Sequence, residues 1–394
     1  MNFPILQSEI QEFIQANLKV SIAKLALMNN PFPTIKWITI LEQIECRKKS
    51  ETKLPTWFTT VGIVFPHKIS IEQTSSEISA AYKASLVDGE SLIDLTGGFG
   101  VDSYYFAKKF ISVIHCEKNE ELSKIVRHNF TQLNAHNVQC LANDSETILK
   151  TIAEKFDWIY IDPSRRSDVK GKVFMLKDCT PNVPELLDYY LSYSNNILVK
   201  TAPILDITSG LNELKFVKSI HIVAINNEVK ELLWEISKEN QLPTVIHAMN
   251  ISDKNFENFQ FNWSKTKTNF FATYASPKTY IYEPNSAIMK SGGFDEVSEQ
   301  FGLDKLQVNS HLYTSDELIQ FPGRVFTIIQ VIPYQKKEMK TKLEGKKANV
   351  STRNFPDSVE QIRKKWKILD GGDLYCFFTT DLNNNKIVLL CNKI

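Results

Sequence analysis

The stretch Ser91-Leu-Ile-Asp94-Leu-Thr96-Gly97-Gly98-Phe-Gly100-Val-Asp102 joins a short apolar run to a helical one through a glycine-rich turn. Glycines at such a turn let the backbone bend tightly and approach a ligand with no Cβ in the way. Acids then recur where later apolar runs end: Glu117 after Val-Ile-His-Cys, Asp144 after Gln-Cys-Leu-Ala-Asn, and Asp162 after Trp-Ile-Tyr-Ile. A carboxylate at the first of these points can accept hydrogen bonds from both hydroxyls of a ribose, and one at the second can receive an adenine amino group. Ligands of open α/β sheets bind along this carboxyl edge.

Two cofactors fit a glycine turn followed by a ribose-binding acid: a dinucleotide and S-adenosylmethionine (SAM). A dinucleotide asks for GxGxxG with a helix N-terminus aimed at pyrophosphate. Here the order is Asp94-x-Thr96-x-Gly98-x-Gly100. A carboxylate beside the turn repels pyrophosphate and attracts the ammonium of a methionine moiety. The sign of that charge favours SAM.

The fourth run ends in Asp162-Pro163-Ser164-Arg165-Arg166. An acid followed by a rigid turn sets a carboxylate and exposed carbonyls beside the reactive end of a cofactor, where they can hold an amino group. Catalysis of that kind is mainly positioning. Arg165 and Arg166 can grip phosphates or stack on bases, or clamp the turn to a carboxylate of the body. Lys200 closes a fifth apolar run on the same edge, and Asn226-Asn227-Glu228 follows a sixth. Cys179 could add as a thiolate to a pyrimidine ring, yet its neighbours supply no His, and a buried small side chain explains it as well. The seven His show neither HxxxH nor HExxH spacing, so no metal site is expected.

Elements that would position these groups follow from periodicity. Residues 1–55 read as helices, with Ser8 to Gln11 and Thr74 to Glu77 as capping-box patterns, and Trp57 to Phe65 as an extended segment. From residue 91, short β-branched runs at 91–95, 113–116, 138–141, 158–161, 196–200 and 219–225 alternate with amphipathic stretches. That rhythm predicts an α/β fold with a mostly parallel sheet and helices on both faces. Residues 244–261 suit a hairpin, 324–332 a strand, 358–366 a helix, and 374–380 with 386–392 a final hairpin.

The chain has 394 residues, 43% of them hydrophobic and 23% charged, which suits a folded protein of two or three domains. Six scattered cysteines form no CxxC pair, so a reducing compartment is expected. The N-terminus lacks the pattern of a secretory signal and no apolar run reaches the length of a membrane span, so the chain is read as cytoplasmic. Net charge is +1, but residues 321–394 carry 14 Lys/Arg against 7 Asp/Glu. A basic module on a mildly acidic body suits either a nucleic-acid surface or a solvated lysine face.

Residues 94–102, Glu117, Asp144 and 162–166 together resemble class I SAM-dependent methyltransferases. More closely, the chain resembles a bacterial family of such proteins with a THUMP-like C-terminal domain. That likeness extends to Ser70–Glu77, Val223–Trp234, Tyr282–Met289 and Ala348–Pro356, and so runs over nearly the whole chain. It implies a helical N-terminal domain (1–72), a Rossmann-like methyltransferase domain (73–245), a ferredoxin-like segment (246–320) and a THUMP-like domain (321–394). It also implies SAM as cofactor, held by Asp94, Thr96, Gly98, Gly100, Asp102, Glu117 and Asp144. Asp162, Pro163 and Ser164 would carry catalysis, with Arg165, Arg166 and Lys200 on the substrate. Since THUMP domains bind RNA, tRNA or rRNA becomes the implied partner. Thr96 stands where many class I enzymes have glycine. Ser164 replaces the second proline of the motif of amino-group methyltransferases, and no aromatic residue follows, so the methylated atom stays open.

Two other functions remain compatible with these residues. One is a non-catalytic RNA-binding or assembly protein with a vestigial SAM fold. The other is a small-molecule methyltransferase whose site the basic tail merely covers.

Overall fold

A computed structural model describes residues 3–165, 175–252, 255–264 and 272–394. The chain divides into two units, Met1–Lys218 with Leu232–Gln241, and Ser219–Glu231 with Leu242–Ile394.

The first unit opens with helices α1 (Ser8–Ala16), α2 (Ile22–Ala26), α3 (Trp37–Lys53), α4 (Pro55–Thr59), α5 (Lys68–Gln73) and α6 (Glu77–Ser85). The Ser8 capping box does not form: Ser8 is already helical and the cap residue is Gln7, whose side chain makes no cap bond. At α6 the cap is Ser76, two residues later than the pattern suggested, accepting from the Ser79 N–H at 3.2 Å. Of the segment 57–65, read as extended, residues 57–59 are instead helical as the end of α4. Pro55 supplies a first helical residue with no N–H to satisfy. The next N–H, of Thr56, finds its acceptor in the distant Glu77 carboxylate at 2.6 Å, a tertiary cap that local sequence does not reveal.

Strands and helices then alternate: β1 (Ser91–Asp94), α7 (Val101–Phe106), β2 (Ser112–Cys116), α8 (Glu120–Gln132), β3 (Val138–Leu141), α9 (Ser145–Ile152) and β4 (Trp158–Ile161). Two short strands, β5 (Ser164–Arg165) and β6 (Cys179–Thr180), pair antiparallel. They are followed by α10 (Val183–Tyr190), β7 (Asn196–Thr201), α11 (Ile207–Glu213), β8 (Val217–Ile225) and β9 (Glu228–Ser237). Strand order runs β3-β2-β1-β4-β7-β9. The first five strands are parallel, and β9 lies antiparallel on β7. The parallel α/β core is thus as the alternation predicted. It gathers the carboxyl ends of β1, β2, β3, β4 and β7 on one edge.

The second unit contains β10 (Val245–Ile251) and β11 (Phe256–Asn262), an antiparallel pair, with β10 parallel to β8. It continues through β12 (Tyr280–Pro284), α12 (Ser286–Ser291), α13 (Phe294–Phe301), β13 (Asp304–Lys305), β14 (Tyr313–Ser315) and β15 (Gly323–Pro333). The tail adds α14 (Lys336–Lys342), β16 (Asn349–Thr352), α15 (Val359–Trp366), β17 (Leu374–Thr380) and β18 (Lys386–Lys393). Seven of these strands form one sheet in the order β13-β14-β12-β15-β18-β17-β16. Met339 of α14 and Ile362 and Trp366 of α15 join the core that Val388 and Leu390 build on β18, so both helices bury an apolar face against this sheet.

Asn226 and Asn227, singled out as a polar cluster, instead form the β8–β9 hairpin turn, both with positive φ (51° and 63°). Two consecutive left-handed residues suit a tight hairpin turn, and Asn tolerates that region better than most side chains. Asn227 also ties the turn to its surroundings, donating its N–H to Asn250 Oδ1 and accepting from the Ser286 N–H.

Candidate active site

The glycine turn leaves β1 at Asp94, whose side chain is 1% exposed. Its Oδ1 accepts the Thr96 N–H at 3.0 Å and its Oδ2 the Ser103 hydroxyl at 2.6 Å. Asp94 therefore stitches the turn to the start of α7 from behind; it does not lie open to a ligand, as the charge argument had supposed. Burial pushes its carboxyl up to about 7, against the opposing hydrogen bonds.

The three glycines have different reasons to be glycine. A Cβ on Gly97 would fall 2.3 Å from the imidazole of His115, which lies fully buried beneath the turn and is held neutral by burial, its pKa down at about 4. One on Gly100 would strike Phe130 and Val126 of α8 at 2.7 and 2.8 Å, and the Gly100 N–H already bonds Gly97 O. Gly100 thus shapes the turn and packs it on α8. Gly98, at φ +54°, meets nothing nearer than Thr96 O at 3.8 Å, so its Cα faces open space. Of the three, Gly98 fits close approach to a ligand.

Glu117 extends the second strand and points back to that turn. Its Oε2 accepts the Gly98 N–H at 3.1 Å and its Oε1 the Asn119 N–H at 2.7 Å. The carboxylate is fixed at both ends, and each oxygen keeps a further lone pair for a hydroxyl. Asp144 sits exposed at the head of α9, where its Oδ1 caps the helix through the Thr147 N–H at 2.9 Å. Hydrogen bonds from Thr147 hold its carboxyl below the usual range.

Thr96 reaches the other way. Its Oγ1 accepts the Asp162 N–H at 2.6 Å, bracing the turn against the end of β4. This gives the Thr96 hydroxyl a structural purpose. The Asp162 Oδ2 lies 2.5 Å from Lys200 Nζ on β7, a half-buried ion pair on the carboxyl edge. Pro163 is buried, whereas Ser164 and Arg165 are exposed on β5. Arg166 lies outside the described residues. Cys179 is fully buried on β6, as the unreactive reading of that thiol expects.

Asp102 has partners the sequence did not suggest. Lys83 Nζ, itself fully buried, stands 2.9 Å from Asp102 Oδ1, and Ser75 and Tyr160 donate to Oδ2 at 3.0 and 2.8 Å. Burial alone would raise the Asp102 carboxyl; the cations of Lys83 and Lys200 and these hydrogen bonds outweigh it and bring it below its ordinary value. A signal existed in α6: Lys83 falls at helical spacing among buried Ser79, Ala80 and Ala84, and a lysine on an apolar face needs an anion.

Gly98, Glu117, Asp162 and Lys200 thus come together on one sheet edge, with Asp94, Thr96 and Asp102 supporting them. Among the described residues, no group of three or more His, Cys, Asp or Glu could hold a metal ion, and no helix is long and apolar enough to cross a membrane.

This architecture is the methyltransferase fold, followed by ferredoxin-like and THUMP-like domains. Family models match residues 280–322 as a ferredoxin-like domain and 323–393 as a THUMP domain-like region. A candidate methyltransferase from Porphyromonas gingivalis W83 shares 32% identity over 100% of both chains, with a TM-score of 0.86. The chain belongs to that family, the methyltransferase family with a THUMP-like C-terminal domain. Smaller structures overlap part of it. An rRNA methylase from Streptococcus thermophilus (14% identity, TM-score 0.31) covers 41% of this chain and 95% of its own. A candidate methyltransferase from Streptococcus mutans, solved with S-adenosylhomocysteine (15% identity, TM-score 0.31), covers 44% and 99%. No curated protein matches the chain by sequence.

Proposed function

We propose that this protein is a SAM-dependent methyltransferase acting on RNA. The observation that carries the cofactor is the Glu117 carboxylate, held by the Gly98 and Asn119 N–H groups beside the one glycine of the turn that faces open space. That pairing fits a ribose against a backbone free of side chain. Asp144 at the next strand end would take the adenine edge, and Asp94, Thr96, Gly100 and Asp102 would keep the cradle in shape.

SAM, when bound, supplies an electrophilic methyl group. Asp162, oriented by Lys200 and by the Thr96 brace, would then accept a hydrogen bond from the group to be methylated and aim its lone pair. Pro163 fixes the turn, while Ser164 and the exposed Arg165 stand where substrate would approach. RNA is favoured as substrate by the THUMP-like domain and by the basic surplus of residues 321–394, with exposed lysines at 336, 337 and 340 on α14 and at 364 and 365 on α15. The chain's place of action on this reading is the cytoplasm.

The test is transfer of a labelled methyl group from SAM to total RNA from a host lacking the gene. DNA, protein and small-metabolite pools run in parallel, and Asp162→Ala serves as control. Label in RNA that the variant abolishes is the expected result. Label in the metabolite pool would reassign the substrate, and SAM binding with no transfer to any pool would favour a non-catalytic protein.

A further inference from the structure

We infer that Lys83, Ser75 and Tyr160 are positioning residues for the cofactor site, acting through Asp102 to lock the segment before the core onto the helix that follows the glycine turn. The purpose assigned to the network rests on the methyltransferase reading; its connectivity rests on geometry alone.

Four side chains from four places in the first unit meet at one point. Ser75 precedes α6, Lys83 lies within it, Asp102 opens α7 two residues after Gly100, and Tyr160 lies on β4 two residues before Asp162. Lys83 Nζ donates to Ser75 Oγ at 2.6 Å and stands 2.9 Å from Asp102 Oδ1. Ser75 and Tyr160 then donate to Asp102 Oδ2. The Lys83 ammonium also lies 5.9 Å from the centre of the Tyr160 ring. Displacing Ser75 therefore disturbs the start of α7 and the strand that carries Asp162 together.

A second clasp doubles the first. Glu77, buried two residues after Ser75, accepts from the Thr56 N–H and hydroxyl at 2.6 Å each and from the Tyr105 hydroxyl of α7 at 2.7 Å. Helix α6 is thus bound to α7 at Asp102 and again at Tyr105.

Stability is a poor reason for such a device. Desolvating an ammonium and a carboxylate costs heavily, and apolar side chains of similar volume often serve a core as well or better. The two side chains of this ion pair are largely buried, with 0% and 12% exposed. Its position between the glycine turn and the Asp162 strand supplies the reason: it fixes, with directional bonds, backbone that the cofactor would contact.

Ser75→Ala and Tyr160→Phe each remove one hydroxyl from the full-length chain and are the variants of choice; Lys83→Met is a harsher third. Three quantities are measured: hydrogen exchange of backbone amides in residues 73–76 and 98–103 without ligand, SAM affinity by calorimetry, and the unfolding midpoint. The expected result for the two mild variants is faster exchange in both segments. SAM affinity is expected to fall about fivefold, the worth of one hydrogen bond, with the midpoint near wild type. Wild-type protein that binds SAM beside Ser75→Ala and Tyr160→Phe variants that match it in exchange and affinity would overturn this inference alone. Wild-type protein that ignores SAM would overturn the functional reading and, with it, the purpose given to the network.

Discussion

Lys200 Nζ lies 2.5 Å from Asp162 Oδ2, joining β7 to the end of β4 on the carboxyl edge of the sheet. Because the Asp162 N–H is simultaneously held by Thr96 Oγ1, both the backbone and the side chain of Asp162 are fixed before any ligand arrives. Pre-organisation of this kind matters more for turnover than for binding, since small misplacements of a reacting pair cost rate steeply.

Lys200→Met should therefore lower methyl transfer by about 10²-fold while leaving SAM affinity close to wild type. Single-turnover rates and calorimetry on the same preparation check this. Equal losses in both would place Lys200 on the cofactor rather than on the orientation of Asp162.

For Glu117→Ala the expectation is the reverse. Two hydroxyl contacts to a charged acceptor are lost, so SAM binding should weaken by about 1–3 kcal/mol. The turn loses the Gly98 anchor as well, so the product S-adenosylhomocysteine should weaken in parallel. A titration of each ligand decides it, and unchanged affinity would remove Glu117 from the ribose role.

Much of this site was legible because its main markers are local in sequence. Strand, glycine turn, helix and the acids at strand ends lie within windows whose period betrays them, and Asp94, Glu117 and Asp162 all fall on or beside the predicted edge. Partners across the fold were not legible. The Thr56–Glu77 cap that makes residues 55–59 helical spans 21 residues, and the Asp102–Tyr160 bond spans 58. Strand β9 was missed for another reason. Asn226-Asn227 stands out in the sequence only as polar residues after an apolar run, though two residues able to adopt positive φ between β-rich runs mark a hairpin. Asp94 shows the limit of motif reasoning: its position was anticipated, but only the structure turns its oxygens inward to Thr96 and Ser103.

That inward turn has a pH consequence. The Asp94 carboxyl is raised by burial from 3.8 to about 7 in the fold. A raised pKa means the native state binds the proton more tightly than the unfolded chain. The stability it lends is complete below about pH 4 and is lost as pH rises through about 7. Asp94→Asn removes this titration while retaining an acceptor for the Thr96 N–H. Urea unfolding from pH 4 to 8 should show wild type losing stability relative to the variant up to about pH 7, then a constant difference. Parallel profiles would contradict the raised value.

The exposed lysines of α14 and α15 supply the last test. Lys337, Lys340 and Lys364 are exposed, while Met339, Ile362 and Trp366 turn the opposite faces of the two helices into the sheet. Charge reversal at these lysines therefore spares the core. If the face meets a phosphate backbone, each lost contact reduces the slope of log affinity against log salt by about 0.7 for a single strand and about 0.9 for a duplex. Lys337→Glu, Lys340→Glu and Lys364→Glu should each weaken RNA binding at low salt and flatten that slope, with SAM affinity measured on the same variants as the control. Anisotropy titrations with a labelled RNA across a salt series measure both quantities. An unchanged slope in the triple variant would make this face ordinary solvated surface and move the search for the RNA contact to other parts of the chain.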